Sequence, residues 1–343
     1  MAGVEVTEYT KGNAKIHAVK IPELGEHVYS VKISPDGKFM ALTFGNGVIR
    51  ILDANTYNPL QRSKLGNPYD DLPSPMVKWG PISAKGQYSL ASISSAGVVF
   101  GWEWDAGDYA ERTFKLVEER NDSGVIDFSP DGKYFATAGS DRSIRIYNLA
   151  EKRLEATMSR GVDPDGHSRV AHNNRIFSVR YASTTTLLSA GWESPVQVWD
   201  LRTGKSERQV SGSQAGADSL EPIRDTTRFL VASNRNHKQL QVFDYISCNE
   251  MEQDSLRLSS NLGKAHLACT RLCYETKTVW VSCMKPPQVK QIDYSTGEVL
   301  CVVDCPGAIM GIDVSPFFPG KCFIACMNET LLIAENTGSV SKP

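Results

Sequence analysis

The sequence predicts an all-β fold: one seven-bladed β-propeller with four antiparallel strands per blade, its ring closed by an N-terminal strand. Three observations carry this. SPDGK occurs at 34–38 and again at 129–133, each time between two apolar runs that read as strands (VYSVKI and FMALTF; GVIDF and YFATAG). After a turn, a third strand follows in both places: GNGVIRILD, ending at 53, and SDRSIRIYN, ending at 148. Further third strands end at 103, 200, 244, 293 and 335, so the unit recurs in steps of 42 to 52 residues. A period of about 40–45 residues with several short strands per unit is the mark of a propeller.

Taken in order, the blades are expected near 25–65, 75–119, 120–160, 171–211, 220–260, 262–304 and 305–336, within a single domain over 1–343. The fourth unit is the clearest: IFSVRY, a turn at STT, LLSAG, the turn WESP and the strand VQVWD. The seventh unit leaves too little sequence after 335 for a good fourth strand. AKIHAVKIP at 14–22 is a spare strand before the first unit. It is expected to pair onto the last blade, because an open edge would template aggregation. The stretch 102–114 reads as an enlarged outer hairpin, and 211–225 is polar and poorly patterned.

Composition narrows the function. The 343 residues are 41% hydrophobic with a formal charge of −2. That balance lacks the basic excess that phosphate backbones demand, so nucleic acid is not expected as the principal partner. No apolar run approaches about 18 residues, so no membrane span is expected. The opening residues MAGVEVTEYTKGNAK carry acids early and no apolar stretch, which argues against a secretory leader and for an intracellular, cytoplasmic protein. All eight cysteines fall at or after Cys248, three pairs of them spaced i, i+4: Cys269/Cys273, Cys301/Cys305 and Cys322/Cys326. That spacing permits zinc. The preferred reading is small apolar strand residues in a reducing compartment, so no metal and no cofactor are expected.

LLSAGWESPVQVWDLRTGK (187–205) closely resembles a WD repeat: Ala171-His172 is similar to the small residue–His pair of that family, and Trp199-Asp200 to its name-giving dipeptide. Trp102-Glu103 and Tyr147-Asn148 are weaker versions. The resemblance covers the chain and implies seven blades, the family's commonest number. It also implies that His172, Ser189, Glu193 and Trp199 form the family's structural hydrogen-bond network, with Glu193 in place of the usual Asp. In the third unit Thr137, Asp141 and Tyr147 match three positions of that network, with no His before them. A hydrolase triad is the competing reading of His, Ser and carboxylate. It fails because the serine sits in a strand and no Gly-x-Ser-x-Gly elbow is present. Walker, His-Glu-x-x-His and Gly-x-Gly-x-x-Gly motifs are absent as well.

Trp192 stands in a turn, immediately before the turn carboxylate. In WD-repeat proteins this position lies on the narrow top face, where partners commonly bind, so Trp192 is the leading candidate contact. Asn173, Arg175 and Phe177 are expected on the same rim. The connections between blades run over that face too. Two are long: 66–75, with Asp70 and Asp71, and 159–174, with Arg160 and Arg169. Long loops tend to be functional or disordered. The favoured function is a non-catalytic scaffold that binds a protein or peptide on the top face. The alternatives are a structural subunit of a large intracellular assembly, and a propeller enzyme using the central channel. The enzyme would need carboxylates or histidines converging at the inner strands, and the six scattered histidines suggest no such ring.

Overall fold

The computed structural model describes residues 5–21, 27–60, 72–106, 110–163, 165–192 and 195–338. Two strands, β1 (Glu5–Lys11) and β2 (Ala14–Lys20), precede the first blade. Blade 1 holds β3 (Val28–Ile33), β4 (Phe39–Phe44) and β5 (Ile49–Asp53). Blade 2 holds β6 (Met76–Ile82), β7 (Tyr88–Ser94), β8 (Val98–Trp104) and β9 (Glu111–Val117). Blade 3 holds β10 (Ser123–Phe128), β11 (Tyr134–Gly139), β12 (Ile144–Asn148) and β13 (Arg153–Met158). A short hairpin, β14 (Arg160–Val162) and β15 (Ser168–Val170), leads into blade 4. Blade 4 holds β16 (Ile176–Tyr181), β17 (Thr186–Gly191), β18 (Val196–Asp200) and β19 (Lys205–Val210). Blade 5 holds β20 (Ala215–Pro222), β21 (Arg228–Ser233), β22 (Leu240–Asp244) and the helix α1 (Glu252–Ser259). Blade 6 holds β23 (Leu267–Cys273), β24 (Thr278–Cys283), β25 (Gln288–Asp293) and β26 (Val299–Asp304). Blade 7 holds β27 (Ile309–Asp313), β28 (Lys321–Cys326) and β29 (Thr330–Asn336).

Local chemistry explains the repeated turns. In both SPDGK segments the serine hydroxyl donates to the aspartate two residues on, at 2.7 Å, and accepts the backbone N–H five residues on, at 3.0 Å. The glycine that follows has φ of +74° at Gly37 and +68° at Gly132. Only glycine enters that region without strain. At Gly37 a Cβ would also lie 2.5 Å from Phe317. The acid that ends so many third strands caps the next turn. Asp53, Asp200, Asp244 and Asp293 each accept backbone N–H bonds two or three residues on, at 2.7–3.0 Å.

The ring closes through β2, which pairs antiparallel with β29 from Ala14 opposite Asn336 to Lys20 opposite Thr330. β1 then adds a strand outside β2, exposed along its whole length. In blade 5 the fourth position is taken by α1. Ser255 Oγ accepts the Val242 N–H at 3.0 Å, and Ser259 Oγ accepts the Leu240 N–H at 3.1 Å. Residues i and i+4 of a helix rise about 6 Å, close to the rise of about 6.6 Å between alternate strand residues. Two serines can therefore meet alternate groups of the β22 edge. The long 159–174 segment is the hairpin β14–β15, whose β14 pairs in parallel with β19 and widens blade 4. No described helix is long and apolar enough to cross a membrane.

Candidate functional site

Antiparallel order puts two kinds of connection on one end of the ring: those between blades, and the turns between second and third strands. We call this end the top face. The first strands β3, β6, β10, β16, β20, β23 and β27 line the axis and touch in sequence around the ring.

Below the top of blade 4, His172 Nε2 lies 2.6 Å from Ser189 Oγ, which accepts the Trp199 indole N–H at 2.8 Å. His172, Ser189 and Trp199 are all fully buried. Burial, then the nearby Arg169 cation, pushes the His172 pKa from 6.5 down to about 4. The ring is therefore neutral at pH 7, Nε2 and the serine hydroxyl share one hydrogen bond, and the other ring nitrogen is Nδ1. That nitrogen has no partner among the described residues. Glu193 lies outside them, as do Asp70 and Asp71.

His172→Ala is expected to cost about 1–3 kcal/mol at pH 7, because Ser189 loses a buried partner. The unfolded chain takes the proton first, so the wild-type His172 contribution is complete above pH 6.5 and falls as the pH drops towards 4, by about 3 kcal/mol. Urea midpoints of wild type and variant should therefore converge between pH 7 and pH 4. A gap that stays constant would contradict the network.

Blade 3 solves the same problem differently. Glu118, from the preceding connection, accepts the hydroxyls of Thr137, Tyr147 (2.8 Å) and Ser123 (2.5 Å), and the Asn121 amide at 2.6 Å. A buried carboxylate thus stands in for the missing His. Asp141 joins this cluster only through its N–H, which donates to Asn121 Oδ1 at 3.2 Å; its carboxylate turns elsewhere. It pairs with Arg145 at 2.5 Å, while Arg145 Nη1 comes within 3.9 Å of Glu118. Glu118 could have been suspected from the sequence only as an acid five residues before a first strand. Blade 2 keeps the indole–serine pair, Trp102 Nε1 donating to Ser92 Oγ at 3.1 Å.

The central channel corrects one expectation. Carboxylates do converge there, but they are matched by cations. Lys32, Lys78, Asp127, Arg180, Glu221, Arg271 and Asp313 come one from each first strand. Asp218 joins them from an irregular stretch of β20, where it adopts φ +55°. Arg180 lies 3.0 Å from Asp218 and 3.3 Å from Asp127, Lys78 lies 2.9 Å from Asp127, and Arg271 bonds Asp218 directly. Lys32 lies 3.5 Å from Asp218 and 3.8 Å from Asp313. Asp127 and Asp313 also accept the N–H of Tyr181 and Ile33 in the next blade, each at 2.9 Å. Burial alone would raise the Asp218 carboxyl, but Arg180, Arg271 and Lys32 hold it far below the usual range. Burial lowers Lys32 to about 8. A cavity of about 680 Å³ opens over this ring on the face opposite Trp192. Asp127, Asp218, Glu221 and Asp313, the carboxylates of the ring itself, are each paired with Lys or Arg.

Seven of the eight cysteines are buried and all are free thiols. Burial pushes Cys283 and Cys301 up to about 11. They assemble no metal-ligand set among the described residues. Asp163, Asp165 and His167 do approach one another in the β14–β15 turn. There Asp163 Oδ1 accepts the N–H groups of Asp165 and His167, as a turn cap does.

On the top face Trp192 is 58% exposed. Its ring stacks on Phe177, with centroids 4.8 Å apart and an interplanar angle of 27°. The Arg175 guanidinium lies 5.6 Å over the same Phe177 ring. Arg175 also reaches across to blade 3, donating to the Asp122 carbonyl at 3.2 Å and lying 3.6 Å from its carboxylate. Asn173 is exposed beside this stack in sequence. Trp192 and Trp199 thus do separate work, one at the surface and one in the core.

The family model "WD domain, G-beta repeat" matches residues 19–53 and 122–148, within a ring of seven such blades. Two matched repeats inside a seven-bladed ring support a WD-repeat propeller. The matched WD repeats are blades 1 and 3, those with the SPDGK turns, rather than the blade with the Trp-Asp dipeptide. Among curated relatives, the nuclear distribution protein nudF of Aspergillus niger is 24% identical over 160 residues, 46% of this chain and 34% of that protein. The ribosome biogenesis protein WDR12 homolog of Drosophila virilis is 23% identical over 198 residues, 55% of this chain and 46% of that protein. Its Drosophila persimilis counterpart is 26% identical over 150 residues, 42% and 35% respectively. The matches thus span between a third and a half of these relatives' own length.

Proposed function

We propose that this WD-repeat propeller is a non-catalytic interaction scaffold that binds a protein or peptide on its top face. The observation that carries the reading is Trp192: a large aromatic ring held in the open by a buttress of Phe177 and Arg175. Aromatic and Arg side chains dominate the binding energy of interfaces. The channel favours a scaffold over an enzyme, because its carboxylates are neutralised by Lys and Arg. A role as subunit of a larger assembly fits the same surface, and relatives named for ribosome biogenesis and nuclear distribution favour it.

Trp192→Ala is the test. Affinity capture followed by mass spectrometry first identifies the partner of the wild-type chain. The variant should then melt near the wild type yet lose about 2 kcal/mol or more of affinity for that partner. Normal capture with a lowered melting temperature would make Trp192 a loop-packing residue instead.

A further inference from the structure

We infer that the top face takes an acidic peptide segment carrying an apolar or aromatic anchor, laid from Trp192 across blades 5 and 6. This rests on the top-face reading above and adds the partner's chemistry. Beyond Trp192, the top-face connections into, within and out of blades 5 and 6 are 211–214, 234–239, 260–266, 284–287 and 305–308. None contains an Asp or Glu, while they hold Arg235, Lys238, Lys264 and Lys285. On the opposite end of blades 5 and 6 the connections carry four acids, Asp225, Glu250, Glu275 and Glu298, against two bases, Arg224 and Lys277. The asymmetry therefore belongs to one face.

These connections form one continuous surface. Val196 pairs with Val210, which sets the Trp192 turn beside 211–214. Arg235 donates to the Gly212 carbonyl, and the Asn234 N–H donates to the Gln214 carbonyl at 2.8 Å. Gln239 donates to the carbonyls of Asn236 and Gly263, and the Met284 N–H to the His266 carbonyl at 2.8 Å. Lys238 is committed to Glu252 at 2.8 Å and also lies 3.8 Å from Glu250, so it is not counted in the strip. Arg235, Lys264 and Lys285 have no carboxylate partner among the described residues. Lys264 and Lys285 are exposed, next to the exposed Met284. An anchor on the Trp192–Phe177 stack would leave a neighbouring carboxylate run over this cationic strip. The chain as a whole carries −2, so the strip is local, too small to track a long phosphate backbone.

The test uses the full chain and three fluorescent probes: a short Asp/Glu peptide with a central Phe pair, the same peptide with Lys for each acid, and a single-stranded RNA of equal charge. The acidic peptide should bind, and the Lys peptide should not. The double variant K264E/K285E should weaken the acidic peptide at least tenfold, and W192A by about thirtyfold. Added salt should weaken wild-type binding more than K264E/K285E binding. Thermal melts establish that both variants fold. If W192A weakens binding while K264E/K285E does not, the acidic chemistry falls and the top-face reading stands. If a folded W192A binds as the wild type does, the top-face reading falls with it. No binding of the acidic peptide, or tighter binding of the RNA, overturns the proposal, the latter in favour of nucleic acid.

Discussion

Deleting residues 1–20 should open the ring and remove most of the protein's stability. β2 supplies the outer neighbour of β29 over seven residue pairs. It also buries Ala14, Ile16 and Val19 almost completely. Ile16 packs with Trp280, Ile324 and Leu332, whereas Val19 packs with Phe323, Leu331 and Ile333. Each large side chain returned to water costs about 1.5–3 kcal/mol. The stripped edge of β29 adds unpaired backbone groups and a template for association. The combined loss, about 5 kcal/mol or more, rivals the whole stability of a typical domain. Deleting only residues 2–12 should do little, because β1 is exposed throughout. Thermal melts and size-exclusion profiles of the two truncations decide the matter. A 1–20 deletion that melts with the full chain would refute closure by β2.

Asp218→Ala should be the most damaging point substitution in the channel. It strips the shared carboxylate from Arg180, Arg271 and Lys32, all buried. Leaving buried charge uncompensated costs about 3–5 kcal/mol. Asp218→Asn keeps the shape and should lose a comparable amount. It also changes the pH response. The folded-state pKa of Asp218 is depressed, so its contribution is full above the ordinary 3.8 and lost as the pH falls below it. Denaturant midpoints should show the variant's deficit shrinking in acid. A deficit near zero at pH 7 would mean that Lys32, Arg180 and Arg271 are satisfied by Asp127, Glu221 and Asp313 alone.

The candidate site was partly legible. Trp192, Phe177, Arg175 and Asn173 could be placed on one rim because they flank the same turn and first strand in a well-patterned blade. Their stacking geometry could not, since it depends on how β16 and β17 present side chains to one another. Glu118 escaped notice because an acid in a loop is ordinarily solvated, and nothing local marks it as the acceptor for Thr137, 19 residues away. The helix α1 was missed for a similar reason. Its serines match the β22 edge only once the two elements lie side by side.

By itself, the sequence determined the repeat, the number of blades and the strand that closes the ring. Those features rest on short-range chemistry: alternation along strands, glycine in the SPDGK turns and aspartate capping the turns after third strands. The tertiary structure decided what the blades do to one another. Asp218 and Arg271 stand 53 residues apart, and Lys32 and Asp218 stand 186 apart. Each reads as an ordinary charge in its own strand. They become a buried, mutually compensating cluster only because seven first strands share one axis, which removes their water and leaves each charge its neighbours in other blades as partners.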